Sequence, residues 1–484
     1  MKHGVQRVAH PARDLRTKCR AMLRGEGGVG MQPHQRVLFD PAAHDMRNKG
    51  NNALLEVAME RVRGFWPQAA CSVVTLAPRL TRTYLPNVEP VDPIRLEPFR
   101  DRSQAVSGLV PTFVWKGLLE AREFMWHRRS AALREEALSR TVESDAEAVC
   151  LENRQGSQRA LREAISRFNL FVASGGGYMC DSDKRLLLGV FDRLEAAAAE
   201  GVTTAMVGQG VGPLDDPELR ARARDLLPRV DLIFVRERRV AVPLLRSLGV
   251  EDDRLLMTGD DAIEMAYRQR PSRAGNGIGV SVRVSSYTAV EKHHLTLLRE
   301  VVQEAARKRQ AVLVGVPISG AHHESDSSRI AEIVEGYADR RIERRRLEPA
   351  SAAITRTHDC RLMVTGTYHG AIFALGQGIP VVAIARSQEY MQKLVGLHDE
   401  YGSACEVISV DKSDARQRLS RAIHQAWEDA EALRPGILRV VEEHIEAQRC
   451  AYSRLHRLVS DRARRRTLPA CTAGPEICKR TEND

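Results

Sequence analysis

The stretch "RLMVTGTYHGAIFALGQGIPVVAIA" (361–385) decides the fold. An apolar run closes at Gly366, an apolar segment of helix length follows over 370–377, and a second apolar run begins after Pro380. Strands that are apolar throughout, rather than alternating, belong to sheets covered on both faces. Two of them joined through a helix make a strand–helix–strand unit of a parallel sheet. His369 stands at the mouth of that helix, just beyond the first strand.

The same alternation runs outward from this unit. "IGVSVRV" (278–284), "AVLVGVP" (311–317) and "CEVISV" (405–410) predict strands, with helices over 293–309 and 327–339. Before a linker-like "RQRPSRAGNG" (268–277), a first series of strands reads "RVLFD" (36–40), "CSVVTLA" (71–77), "NLFVAS" (169–174), "TTAMVGQG" (203–210, strand then loop) and "VDLIFVRE" (230–237). Helical spacing fills 53–65, 184–201, 216–227 and 239–250 between them. The expected fold is α/β: two Rossmann-like, doubly wound domains over 37–267 and 277–411 that face a cleft. The Pro- and Arg-rich 78–102 reads as loop, and 104–166 as helical with a break near Pro111. Residues 412–465 read as two long C-terminal helices able to reach back across the first domain.

A chain of 484 residues exceeds one ordinary core, which agrees with two domains. No apolar stretch approaches the roughly 20 residues of a membrane span. The net charge of +10 invites a nucleic-acid reading, but its location argues against one. Residues 1–36 hold eight Lys/Arg against two Asp/Glu, and 454–466 hold six Arg against one Asp, leaving the body close to neutral. No stacking aromatics accompany these basic ends. They are expected to be disordered extensions (1–36 and 466–484), or weak contacts to a membrane surface. The basic N-terminus lacks the apolar core of a signal peptide, and translation from Met31 is an alternative start. Nine scattered cysteines with no C-x-x-C point to a reducing, cytoplasmic location and no metal.

Candidate chemistry gathers at the predicted strand ends. At the helix N-terminus His369 is expected to stay neutral near pH 7 and to exchange protons with a hydroxyl; the alternative is a capping or packing histidine. The N–H groups around Gly370 form a ready anion site, with hydroxyls of Thr367 and Tyr368 beside it. Gly175, Gly176 and Gly177, in a loop after one strand, and Gln209 and Gly210, in a loop after its neighbour, let backbone approach a ligand closely. Arg236 and Arg283 end strands of opposite domains and suit a carboxylate or phosphate, as does Lys393. Asp260, with Asp261, can act as a base, position a hydroxyl or cap a helix. Asn48, Gly50 and Asn51 open the first helix as a polar turn. His322, His323 and Asp326 make a poor metal set.

Taken together, N-x-G before the first helix, the strand-GGG loop, G-Q-G-x-G-P, D-x-I-x-V-R-E, "TGDDA", "GVSVR" and "YHGAIFALGQGIPVVAI" resemble the polysaccharide pyruvyl transferase family over roughly 37–400. The resemblance implies a fold like the two-domain glycosyltransferases of the B type. It implies transfer of a pyruvyl group from phosphoenolpyruvate, as co-substrate without cofactor, to hydroxyls of a sugar in a surface polysaccharide or its precursor. The acceptor partner is then a glycan, glycolipid or nucleotide-sugar. His369 becomes the acid/base, Arg236, Arg283 and Lys393 the donor's partners, and Asp260 a group on the sugar side. Two positions depart from the family: Thr367 stands where Arg is common before x-His, and Asn51 where N-x-G is often followed by Asp. Both remove charge from the cleft. A nucleotide-sugar glycosyltransferase on the same scaffold, and a non-catalytic member of glycan biosynthesis, are the alternatives.

Overall fold

The computed structural model describes residues 35–93, 96, 158–285, 288, 290–320, 326–337 and 348–467. The readings made for 1–34, for 104–157, for 468–484, and for His322 and His323 lie outside the described residues.

Two parallel sheets carry the fold. The first holds β1 (Arg36–Asp40), β2 (Ala70–Val74), β3 (Glu89–Val91), β4 (Leu170–Ala173), β5 (Gly176–Met179), β6 (Thr203–Val211), β7 (Leu232–Val235) and β8 (Leu255–Met257). Its order is β3-β2-β1-β4-β6-β7-β8, with β5 beside β6. The second holds β9 (Gly277–Ser281), β10 (Val312–Gly315), β11 (Cys360–Thr365), β12 (Val381–Ala385) and β13 (Cys405–Ser409), in the order β10-β9-β11-β12-β13. Both are doubly wound Rossmann-like orders that reverse direction in mid-sheet, between β1 and β4 and between β9 and β11. β4, "LFVA", and β7, "LIFV", are buried along their whole length, as strands covered on both faces must be.

The connecting helices are α1 (Lys49–Phe65), α2 (Pro78–Tyr84), α3 (Lys184–Ala199), α4 (Pro217–Leu226), α5 (Ala241–Ser247), α6 (Ala262–Arg268), α7 (Lys292–Arg309), α8 (Asp326–Val334), α9 (Ala350–Arg356), α10 (Tyr368–Gly376), α11 (Gln388–Tyr401) and α12 (Ala415–Thr467). One apolar cluster joins the two sheet units. Ala53, Leu54 and Val57 of α1 and Ile263 and Ala266 of α6 pack with Val316, Ala371 and Leu375 of the second unit. Backbone ties reinforce the seam: Lys49 N donates to Ile318 O (3.0 Å) and Gly320 N to Arg47 O (2.9 Å).

Three sequence expectations are corrected. The region 78–102 is not all loop. Pro at the first helical position starts α2, and Val91 is buried in β3 beside β2. The two glycine loops are in part strand. β5 runs through Gly176 and Gly177, and β6 continues to Val211 past a register shift between Met206 and Gln209. There Gly208 has φ +59°, a conformation glycine alone adopts freely. Lastly, the two helices expected over 412–465 are one helix, Ala415–Thr467, of 53 residues with Pro435 inside it. An interior proline costs a helix about 3 kcal/mol. Burial outweighs it: the stripe Leu419, Ile423, Ala430, Ile437, Val441 and Ile445 stays in phase on both sides of Pro435. Buried Arg434 also donates to Gln377 O (2.6 Å). After crossing the second unit, α12 reaches the first, where Arg462 pairs with Asp231 (2.5 and 2.7 Å).

Candidate functional site

The site forms where the carboxyl ends of the two sheets meet. At the reversal of the second sheet, Ser281 closes β9 and Thr365 closes β11. Thr367 caps α10, its hydroxyl accepting from Gly370 N (3.2 Å) and bonding Ser281 Oγ (2.7 Å) and Thr365 Oγ1 (3.1 Å). Tyr368 N donates to Tyr390 OH (3.1 Å). The Thr367 hydroxyl and the Gly370 N–H are therefore committed to each other and to the turn. The open anion site expected at this helix end is already used by the protein's own caps.

His369 follows, buried at 7% exposure. Its ring lies against Gly50 of the first unit, where a Cβ would land inside the imidazole. Its Nε2 has no hydrogen-bond partner among the described residues and stands 3.7 Å from Asp260 Oδ2. Burial, followed by the charges of Arg236 and Arg283, holds the imidazole well below its ordinary pKa, so the ring is neutral at pH 7. Neutrality was expected from the helix end; desolvation is the larger cause.

Asp260 sits in the turn between β8 and α6. Its Oδ1 accepts from Ala262 N (3.0 Å), and its Oδ2 lies 3.4 Å from Arg236 Nη1. Burial raises its pKa to about 6 against the opposing pull of Arg236. The buried Arg236 guanidinium stacks 3.8 Å over the Tyr368 ring. Gly210 leaves the room for it, since a Cβ there would come 2.5 Å from Nη2. A Cβ at Gly177 would come 3.2 Å from Arg236 Nη2 and 3.3 Å from Lys393 Nζ, so the two cations converge on that glycine. A shallow depression lined by Gly210, Gly212, Arg236, Glu237, Gln392 and Lys393 lies beside them.

The other predicted residues are placed differently. Lys393 is paired with Glu389 (2.5 Å). Arg283 forms a buried, two-pronged pair with Asp326 (2.9 and 3.1 Å), whose Oδ2 also accepts from Ile318 N and Ser319 N. Asn48 caps α1, accepting from Gly50 N and Asn51 N (3.0 and 3.2 Å). Gln209 donates to Ala173 O, Ser174 O and Tyr178 OH, tying β6 to the end of β4. Gly175 and Gly176 admit close packing against Gly208 O and Ala42. Thus His369, Gly50, Asp260, Arg236, Gly177, Gly210 and Lys393 come together, while Asn48, Gln209, Gly175 and Gly176 build the walls. Among the described residues no group of His, Cys, Asp and Glu is disposed to hold a metal, and no helix is long and apolar enough to cross a membrane.

Sequence reasoning missed the contribution of α12. Buried Tyr452 donates to Asp261 Oδ2 (2.9 Å), and buried Gln448 donates to Asp260 O (3.1 Å) and Thr258 O (3.3 Å). The i, i+4, i+8 spacing of His444, Gln448 and Tyr452 was the available signal. Asp261 is fully buried, and its pKa is raised to about 7, chiefly by desolvation.

A family model described as polysaccharide pyruvyl transferase matches residues 48–388. No curated protein matches the chain. Solved structures resembling it include the glycotransferase of kitacinnamycin (14% identity, TM-score 0.49, 89% of this chain and 99% of that one). A glycosyltransferase from Rickettsia africae is 10% identical (TM-score 0.49, 89% and 99%). Alr3699/HepE of Anabaena, in complex with UDP, is 11% identical (TM-score 0.46, 89% and 100%).

Proposed function

The chain belongs to the polysaccharide pyruvyl transferase family, and on that premise we propose that it moves a pyruvyl group from phosphoenolpyruvate to two hydroxyls of a sugar in a surface polysaccharide or its precursor. The observation that carries the reading is His369 Nε2. It is buried, neutral and unpartnered, 3.7 Å from the Asp260 carboxyl and beside the cationic Arg236. A buried polar atom without a partner is a site awaiting a group, and a neutral imidazole there serves proton transfer.

In this reading Arg236 and Lys393 hold the donor's carboxylate and phosphate over the glycine floor of Gly177 and Gly210. A proton delivered to the donor's methylene carbon leaves an oxocarbenium-like C2. The first sugar hydroxyl adds to C2 and passes its proton to His369 Nε2, which makes good the proton spent on the methylene carbon, while Asp260 Oδ2 accepts a hydrogen bond from the second hydroxyl. The second hydroxyl then displaces phosphate, its proton passing by way of Asp260 to the leaving group, so the products are a cyclic ketal and inorganic phosphate. Arg283 acts as a fixed positive charge, since Asp326 holds its guanidinium. The unpatterned cysteines go with a cytoplasmic location for this chemistry.

The test is phosphate release from phosphoenolpyruvate in the presence of glycan-lipid or nucleotide-sugar acceptors. Turnover that depends on acceptor supports the reading. Failure of the donor to bind, with thermal stabilisation by UDP or GDP in its place, turns it to nucleotide-sugar transfer.

A further inference from the structure

The family match ends at residue 388, yet α12, over 415–467, touches the turn that carries Asp260 at three successive positions. His444 packs against Gly259, whose φ of +73° and missing Cβ make room for the ring; a Cβ would lie 2.6 Å from Nδ1. Gln448, one turn on, binds the carbonyls of Thr258 and Asp260. Tyr452, another turn on, holds the Asp261 carboxylate. Gln448 is fully buried and Tyr452 nearly so, in a cluster that pins Tyr452 edge-on to Phe234 (5.4 Å).

We propose that α12 is part of the active site, and that Gln448 and Tyr452 are positioning residues that hold the 258–261 turn so that Asp260 Oδ2 stands between Arg236 and His369. This rests on the reading of Asp260 and His369 as the reacting pair. The physical argument is one of reach. α6 restrains Asp260 through Ala262 N on its carboxyl and Ile263 N on its carbonyl (3.1 Å), and β8 ends three residues before it. Without the two hydrogen bonds from Gln448, the Thr258 and Asp260 carbonyls lose the shared donor that ties the turn to α12. A displacement of about 1 Å at a reacting group is enough to cost about a hundredfold in rate.

The charge state of Asp260 follows its place. The groups facing this turn are Arg236 after β7, Tyr368 and His369 of α10, His444 and Tyr452 of α12, Arg61 of α1, and Asp261 and Glu264 of its own segment. Burial is the largest influence on the Asp260 carboxyl and raises its pKa. A loosened turn admits water, so the carboxyl falls back toward the ordinary carboxylate range.

The experiment compares Gln448→Leu and Tyr452→Phe with Arg462→Ala, which loosens the far end of the same helix by breaking its pair with Asp231. Expected for the first two is a fall in kcat of about tenfold, one lost hydrogen bond's worth, with the donor's KM unchanged and the acid limb of the rate profile moved to lower pH. Arg462→Ala should lower the melting temperature and leave both readouts in place. The carboxyl 13C resonance of Asp260 in the substrate-free protein, assigned by its loss in Asp260→Asn, should titrate at lower pH in Gln448→Leu and Tyr452→Phe alone. If both variants lose only stability, as Arg462→Ala does, with kcat per folded site and the Asp260 titration unmoved, α12 is only scaffold and the proposal falls. Absence of turnover from phosphoenolpyruvate in the unmodified protein sinks the functional reading instead, and the resonance still decides the role of α12.

Discussion

His369 Nε2 and Asp260 Oδ2 face each other 3.7 Å apart across the seam between the two sheet units. One comes from the start of α10 in the second unit, the other from the turn after β8 in the first. The distance is too long for a hydrogen bond, so the imidazole nitrogen is buried without a partner among the described residues. Two groups that do not satisfy one another, held by two separate lobes, leave an incoming hydroxyl an acceptor on either side.

Removing either group tests this relationship. His369→Ala and Asp260→Asn should each lower kcat by about 10²–10⁴, the range for a positioned acid or base. Far-ultraviolet circular dichroism should remain that of the unmodified protein. Turnover within about threefold of normal in His369→Ala would remove the imidazole from the chemistry.

Asp260 also sets a pH dependence. Its raised pKa of about 6 means that the carboxyl able to accept from a hydroxyl is lost as pH falls through 6. His369 is held well below its ordinary value and stays neutral through that window. The rate should therefore drop below about pH 6 with a single ionisation, and Asp260→Asn should flatten that limb in its residual activity. A limb that survives in Asp260→Asn would assign it to another group.

Much of this fold was legible because its strands are continuous apolar runs, and such runs have few readings besides a parallel strand covered on both faces. The glycine-lined ends followed from the same pattern, whereas the strand order did not. What was hidden depended on pairing across the seam. Nothing in "GVSVR" says that Arg283 is taken by Asp326, more than forty residues on. Nothing near Thr367 says that its hydroxyl is spent on Ser281. The continuity of α12 through Pro435 was hidden because a local rule, proline as breaker, lost to burial of an in-phase stripe on both sides. The glycine loops were misread where strand pairing and close packing claimed the residues that backbone freedom would equally have allowed to bind a ligand.

Asp261 makes a stability prediction. Its folded pKa of about 7 lies above the 3.8 of an ordinary aspartate, so between these values the folded chain keeps a proton that the unfolded chain has released. The folded state binds more protons there, and stability falls as pH rises through the window. Asp261→Asn keeps an acceptor for the Tyr452 hydroxyl and removes the charge. It should match the unmodified protein near pH 4 and exceed it at pH 8 by on the order of 2–4 kcal/mol in denaturant unfolding. An equal difference at both pH values would show that the carboxyl's charge is not what costs stability.

Gly50 carries a prediction opposite to helix propensity. In an exposed helix, Gly→Ala would stabilise by about 0.5–1 kcal/mol. Here the added methyl would occupy the place of the His369 ring. Gly50→Ala should therefore displace the ring or spread the seam and lower kcat by about a hundredfold, the cost of misplacing a reacting group. Gly64→Ala, on the same helix with open space around it, serves as the control and should leave the rate unchanged.

The two arginines at the strand ends should behave differently because their partners differ. Arg283 is held on both prongs by Asp326, and both residues are buried. Removing one member of such a pair leaves an uncompensated buried charge, so Asp326→Ala should cost about 3–5 kcal/mol of stability. Among the described residues Arg236 has a 3.4 Å contact to Asp260 and a stack on Tyr368. A lysine keeps the charge but loses the planar fork and the stack. Arg236→Lys should therefore raise the donor's KM by about tenfold or more, the loss of a charge-assisted hydrogen bond, with a smaller change in melting temperature than Asp326→Ala produces. Calorimetric titration with phosphoenolpyruvate, alongside thermal unfolding, separates the two. If Arg236→Lys binds the donor as the unmodified protein does, the anion is held elsewhere, and the convergence of Arg236 and Lys393 on Gly177 is structural.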